Sequence, residues 1–145
     1  MSIRVATFAD VPLLVAFSGA LNAHESIVIS DVELDAGLHQ LLGDPRLGVV
    51  FIIEDGGNSA GYALCAYSFD LEFRGVEAWL TELFIADDAR GRGLATDALG
   101  QIQTELRARG VKALHLQVRP DNPAVALYER IGFSRVPRLV MTRRL

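Results

Sequence analysis

The spacing of hydrophobic positions changes several times in the first third of the chain, and each change predicts a new element. Residues 3–7 alternate between apolar and polar, as in a strand. Two runs with helical spacing follow, the first after Asp10 and the second after Ser30 and Asp31, which can cap a helix. The apolar positions of these runs are Leu13, Leu14, Phe17 and Leu21, then Leu34, Leu38, Leu41 and Leu42. The chain is therefore predicted to begin as a strand followed by two helices.

The middle of the chain has the spacing of strands. The apolar run from Val49 to Ile53 meets the turn cluster 54–58, and a second run continues from Tyr62 to Tyr67, which predicts a hairpin. After a break at 70–75, the apolar segment from Ala78 to Ile85 predicts a further strand.

The last third returns to alternating helices and strands. A polar loop at 87–93 leads into a helix that ends at Gly110, and a strand follows over 114–118. Asn122 and Pro123 open a short helix, which Gly132 ends, and the segment from Arg138 to Leu145 is predicted as a final strand. This order predicts an α/β fold, a mixed sheet with helices on both faces.

Composition narrows the class of protein. With 145 residues, 50% of them hydrophobic and 22% charged, we expect a single soluble domain over residues 1–145. No apolar run reaches the ~20 residues of a membrane-spanning helix, and the N-terminus is too polar for a secretory signal. Cys65 is the only cysteine, so a reducing, cytoplasmic location is expected. His24, His39 and His115 lie on separate elements, and no metal site is predicted.

The net charge of −4 is unevenly distributed. Residues 1–88 contain 14 acidic and 3 basic side chains, whereas residues 89–145 contain 4 acidic and 11 basic ones. This asymmetry is either a matter of solvated faces or a sign that one half suits a cation and the other an anion.

The segment 83–95 has the strongest chemical signal. A buried strand runs into a loop with Gly91 and Gly93, and the loop opens a long helix. Backbone N–H groups at a helix N-terminus bind phosphate, glycines let the phosphate approach, and arginines add charge. A dinucleotide fingerprint would need glycine at Thr96 and an acid near Arg119, and a P-loop would need Gly-Lys-Ser/Thr, so neither pattern is present.

Two motifs resemble those of the GNAT superfamily of N-acetyltransferases. The run Arg90-Gly91-Arg92-Gly93-Leu94-Ala95 is similar to its Gln/Arg-x-x-Gly-x-Gly/Ala element. Asn122, followed by a helix that ends Tyr128-x-x-x-Gly-Phe, is similar to its second hallmark. Both motifs stand in the right order on the right elements, so the chain is identified as a member.

The resemblance implies a single-domain GNAT fold, a mostly antiparallel mixed sheet that is splayed at its centre, with acetyl-CoA as cosubstrate. The backbone of the strand end would bind the pantetheine arm, the glycine loop would bind the pyrophosphate, and Asn122 would lie beside the pantetheine. The implied cofactor-binding residues are Leu83, Phe84, Ile85, Arg90, Gly91, Arg92, Gly93, Leu94, Ala95, Thr96 and Asn122.

Acetyl transfer to an amine needs a base for the amine and an acid for the leaving thiolate. Tyr128, which the resemblance places beside the thioester sulfur, is the predicted acid, although its apolar helix face also fits a core residue. Glu82, a carboxylate within an apolar strand, is the predicted base. A structural ion pair between Glu82 and an arginine, with a water chain as the base, is the other interpretation. Direct attack in a ternary complex is expected, without an acyl-cysteine.

The acceptor is predicted to be a small cationic amine. The segment 73–85 resembles the diamine and polyamine acetyltransferase branch, although Thr81-Glu82 stands where that branch has two acids. The acids that could line the cleft are Glu25, Asp31, Glu33, Asp70, Glu72 and Glu82. A protein or peptide N-acetyltransferase and a catalytically silent acyl-CoA-binding module are the other hypotheses. A homodimer stays open, and the acidic pI of about 5.3 gives no support to a nucleic-acid partner.

Overall fold

A five-stranded sheet forms the centre of the molecule in the computed structural model, which describes residues 1–145. Its strands are β1 (Ser2–Val5), β2 (Gly48–Asp55), β3 (Asn58–Asp70), β4 (Gly75–Ile85) and β5 (Leu114–Leu116), and they lie side by side in this order. All neighbouring pairs are antiparallel except β4 and β5, which are parallel. The sheet is therefore mixed and mostly antiparallel, as predicted.

Four α-helices and two 3₁₀ turns surround the sheet. They are α1 (Val11–His24), α2 (Asp31–Gly43), α3 (Leu94–Ala108) and α4 (Ala124–Arg130), with 3₁₀ turns at Phe8–Asp10 and Asp87–Ala89. The predicted cap of α2 is confirmed: the Glu33 N–H donates to the Ser30 hydroxyl at 3.2 Å, and the Ser30 N–H donates to the Glu33 carboxylate at 2.8 Å. None of the helices is long and apolar enough to cross a membrane.

Two hydrophobic clusters cover the two faces of the sheet. Phe51 and Ile53 of β2 point into the larger cluster, which α3 covers with Ala98, Leu99, Ile102 and Leu106. Val50 and Ile52 point into the smaller cluster, which α1 and α2 cover with Val11, Leu14 and Leu38. Since both faces are covered, β2 reads in the sequence as a continuous apolar run instead of an alternating one.

Two local features of β4 shape the region where the sequence predicts the site. The register of β3 and β4 shifts at Thr81, where Glu82 lies opposite Leu64 but Leu80 lies opposite Cys65, so Thr81 is a β-bulge. The pairing of β4 with β5 ends at Leu80. Beyond it, the last part of β4 has a neighbour on the β3 side only, which opens a splay between β4 and β5.

The prediction of a final strand was wrong. Residues 134–145 contain no strand, and the side chains of Leu139 and Met141 are 91% and 90% exposed. An alternating pattern supplies β-propensity, but a strand also needs an edge to pair with, and β5 has only three residues. The strand predicted over 114–118 is also shorter than expected, since β5 contains only residues 114–116. The splay lies between β4 and the edge strand β5 instead of at the centre of the sheet.

Candidate functional site

The loop before α3 has the geometry of an anion cradle. Gly91 and Gly93 have φ angles of 77° and 75°, in the left-handed region that glycine adopts without strain. Gly93 is the N-cap of α3, and no side chain caps the helix. A Cβ added at either glycine would meet no atom within 4 Å. The first N–H groups of α3 therefore face open space, where a phosphate can approach them.

Each arginine of the loop is held by a neighbouring carboxylate. The Arg90 side chain donates from Nε to the Ile85 carbonyl at 3.0 Å and forms an ion pair with Asp87 at 3.1 Å. The Arg92 guanidinium lies 2.8 Å from the Asp55 carboxylate, at the end of β2. Both side chains remain about half exposed, so they add positive charge beside the helix N-terminus.

The open edge of β4 exposes backbone groups of the predicted pantetheine-binding residues. Before the bulge, Val76 and Ala78 form backbone hydrogen bonds on the β5 side, at 2.8 and 2.9 Å. After the bulge, Ala86 donates its N–H to the β3 side at 2.8 Å. Since backbone direction alternates along a strand, Leu83 and Ile85 direct their N–H and C=O groups toward the open edge. This edge leads directly into the glycine loop.

Glu82 lies on the sheet face that α1 covers, because the bulge turns it away from α3. Its Oε2 accepts a hydrogen bond from the Tyr62 hydroxyl at 2.7 Å. Burial raises the pKa of Tyr62, and the charge of Glu82 raises it further, so Tyr62 stays protonated. The arginine partner considered from the sequence is wrong, since the structure gives Glu82 a tyrosine hydroxyl instead.

Tyr128 lies on α4, half-buried against the larger cluster. Its ring meets that of Phe133 edge to face, with centroids 5.8 Å apart, and burial raises the pKa of its hydroxyl. No protein group forms a hydrogen bond with this hydroxyl, nor does the structure bring it into contact with Glu82. The Asn122 Oδ1 accepts the N–H of Ala124 at 2.9 Å, which fixes the start of α4.

Sequence reasoning missed a second buried carboxylate on β4. Glu77 is 6% exposed and accepts hydrogen bonds from Ser68 at 2.8 Å, from His115 Nε2 at 2.7 Å and from Trp79 at 3.3 Å. Burial raises its pKa, but the three donors outweigh burial and lower it overall. The signal that marked Glu82, a carboxylate in an apolar strand, also applied to Glu77. His115 is thus an ordered partner of Glu77, and its ring lies against Trp79 and Phe73, with centroids 4.7 and 5.1 Å apart.

Other acids of the N-terminal half have local partners. Glu33 belongs to the cap of α2, and the Asp70 carboxylate accepts the N–H of Glu72 at 2.8 Å. Glu72 lies 3.6 Å from Arg138. On β4 itself, the half-buried Glu82 lies next to the splay, whereas the buried Glu77 lies before the stretch that pairs with β5.

Comparison with known proteins agrees with this geometry. Residues 19–133 match the Acetyltransferase (GNAT) family. An acetyltransferase of Yersinia pestis is 31% identical over 117 residues, which are 80% of this chain and 77% of that protein. A ribosomal protein bS18-alanine N-acetyltransferase of Haemophilus influenzae is 37% identical over 76 residues, which are 52% of this chain and 48% of that protein. The chain thus spans about half the length of this second relative.

Solved structures share the whole fold. An integron cassette protein from the mobile metagenome of Cole Harbour Salt Marsh superposes with a TM-score of 0.87 at 27% identity, covering 99% of this chain and 90% of that one. A predicted acetyltransferase of Clostridium acetobutylicum, solved with acetyl-CoA, has a TM-score of 0.79 at 21% identity, with coverages of 98% and 95%. None of these four proteins is named as a diamine or polyamine acetyltransferase.

Proposed function

This chain belongs to the Acetyltransferase (GNAT) family, and we propose that it transfers the acetyl group of acetyl-CoA to a primary amine. The observation that carries the proposal is the continuity of the open β4 edge with the uncapped N-terminus of α3. The β4 edge is a row of backbone groups suited to an amide-containing arm, and the N-terminus of α3 is an anion cradle with two arginines. The Clostridium neighbour, solved with acetyl-CoA, has the same fold and supports this choice of cosubstrate.

The residues present fit that cosubstrate. Leu83 would offer its N–H and C=O groups and Ile85 its N–H group to the pantetheine amides, while Phe84 between them anchors the strand in the smaller cluster. The backbone from Gly91 to Thr96, with Arg90 and Arg92 beside it, would hold the pyrophosphate. Leu94 and Ala95 form the first turn of α3, and Asn122 keeps its Nδ2 available beside α4. The bound thioester would supply an activated acetyl group, so no side chain of the protein would need to be acylated first.

Two protons must move for the transfer. An ordinary alkylamine has a pKa near ~10.4, so almost all of it is protonated at pH 7 and cannot attack. Glu82 is proposed to accept that proton, because its carboxylate lies on β4 next to the splay. Tyr128 is proposed to protonate the thiolate that leaves, because its hydroxyl has no protein partner and its raised pKa keeps the proton available.

For the acceptor we propose a small cationic amine, such as a diamine. Glu82 places a carboxylate next to the splay, its Oε1 has no hydrogen bond from the protein, and a negative charge in a cleft concentrates substrate of the opposite sign. We also propose a cytoplasmic location, since the single thiol, Cys65, is buried in the core.

A peptide N-terminus is the second candidate, and a specific surface favours it. Helix α1 packs its Phe17 on Phe84, near the end of β4, with ring centroids 5.3 Å apart. The loop that follows presents Ile27, Val28 and Ile29, which are 50%, 99% and 42% exposed. An apolar rim suits a peptide better than a dication, and the Haemophilus relative is named for a protein alanine.

A panel of acceptors tests the proposal and separates the two candidates. Release of CoA is measured with diamines, monoamines of equal length, aminoglycosides and peptides with free N-termini, at low and high salt. A diamine should be preferred, and its turnover should fall with salt more steeply than that of a monoamine. A preference for peptides would select the second candidate. No turnover with any amine, although acetyl-CoA binds, would favour the silent acyl-CoA-binding module.

A further inference from the structure

Polar side chains lie inside the apolar layer between α1 and β4. Asn22 and Ser18 of α1 are 6% and 2% exposed, and Tyr62 of β3 is fully buried. The Asn22 amide donates to the Ser18 hydroxyl at 3.5 Å, and the Tyr62 hydroxyl donates to Glu82 Oε2 at 2.7 Å. Three polar groups are thus placed inside a cluster that is otherwise hydrophobic.

The hydrogen bond between Tyr62 and Glu82 can run in one direction only, because a carboxylate only accepts. Hydrogen bonds to a charged acceptor are stronger than those between neutral groups. This bond leaves Glu82 Oε1 without a hydrogen bond from the protein.

The surroundings of Tyr62 hold its hydroxyl in place. Its ring is stacked with Phe17, with centroids 6.2 Å apart and an interplanar angle of 7°, and lies 6.2 Å from Phe84. The ring therefore has little room to rotate away from Glu82. Burial of a polar group is costly unless it is paired, so the buried Tyr62 hydroxyl depends on Glu82 as its acceptor.

We propose that Tyr62 is a positioning residue for the base Glu82. It holds Oε2 and stabilises the charged carboxylate, so that Oε1 is directed to the acceptor amine. In the proton transfer, an N–H bond of the ammonium breaks, an O–H bond forms on Oε1, and the electron pair stays on the nitrogen. The catalytic part of the inference rests on the proposed function, but the hydrogen bond from Tyr62 to Glu82 can be tested without turnover.

Tyr62→Phe removes only the hydroxyl and keeps the stacked ring. Tyr67→Phe is the matched control, since Tyr67 is a half-buried tyrosine on the same strand and packs against the other cluster. Two readouts are compared: the pH dependence of kcat/KM for the amine, and the NMR titration of ¹³C-labelled glutamate carboxyls, with the Glu82 signal assigned by Glu82→Gln. A hydrogen bond donated to a carboxylate favours its charged form, so its loss should move protonation to higher pH.

In Tyr62→Phe, the Glu82 titration and the acid limb of the rate profile should both move up by about one pH unit. Tyr67→Phe should leave both unchanged, with the KM for acetyl-CoA within about twofold of wild type in both variants. An unmoved NMR titration, or a moved titration with an unmoved rate profile, overturns the proposal. If wild type turns over no amine, the proposed function fails, and the titration alone still decides whether Tyr62 holds Glu82.

Discussion

Replacing Gly93 by alanine adds one methyl group at the N-cap of α3, where the backbone has φ 75° and ψ 11°. A side chain in this left-handed region costs about 1–2 kcal/mol, and no neighbouring atom within 4 Å adds a clash. Alanine also restricts the unfolded chain, which stabilises the fold by about 0.4–1 kcal/mol. The net effect on unfolding should be a loss of about 0.5–1 kcal/mol.

Gly100→Ala is the matched control, because it makes the same change two turns later in the same helix. Gly100 has ordinary helical torsions, and its added Cβ would also meet nothing within 4 Å. Here alanine should stabilise by about 0.5–1 kcal/mol. The difference between the two variants removes the common effect on the unfolded chain. At roughly 3 °C per kcal/mol for a domain of this size, their melting temperatures should differ by about 3–6 °C.

The two variants should also differ in ligand binding. The methyl group at position 93 points into the space proposed for the pyrophosphate, so the affinity of Gly93→Ala for CoA should fall by about tenfold or more. Gly100→Ala, on the exposed part of α3, should bind CoA like wild type. Thermal melts and calorimetric titrations with CoA measure both effects. Equal melting temperatures would refute the backbone argument, and unchanged CoA affinity in a folded Gly93→Ala would refute the position of the cradle.

Two further predictions concern single side chains. Tyr128→Phe should lower kcat by about 10²-fold with little change in stability or in CoA affinity, because no protein group forms a hydrogen bond with its hydroxyl. Unchanged turnover in this variant would mean that Tyr128 is only a core residue. Asp10→Asn should destabilise the protein by about 1 kcal/mol at pH 7, because the hydrogen bond from Arg4 lowers the pKa of Asp10 from 3.8 to about 2. This contribution is present above pH ~4 and is lost as the pH falls toward 2, so urea unfolding should separate the two proteins at pH 7 and not at pH 2.

The element order could be predicted from the sequence wherever local signals and tertiary structure agree. The Ser30 cap, the Gly56-Gly57 turn and the periodicity of α3 each act within a few residues, and the structure has all three elements. The strand predicted after Arg138 failed because its formation depends on an available edge, which local spacing does not report.

The candidate site could be predicted only in part, for a similar reason. The cradle is contiguous in sequence, so its glycines and arginines were identified together. The partner of Glu82 is 20 residues away, on β3, and hydrogen-bonds across the sheet only because of the register there. Glu77 and His115 are 38 residues apart and meet through a parallel pairing, which no spacing rule predicts.

The bulge at Thr81 makes the chemistry of β4 depend on strand pairing as well as on residue identity. If β4 paired regularly with β3, with Thr81 opposite Leu64 and no bulge, Glu82 would move to the opposite face of the sheet, under α3. Every proposed catalytic and cofactor-binding residue would still be present in such a strand. A related sequence can therefore keep both motifs intact and the same strand length while having its carboxylate in the other layer. An inventory of residues would not reveal that difference, whereas the pairing of β4 with β3 would.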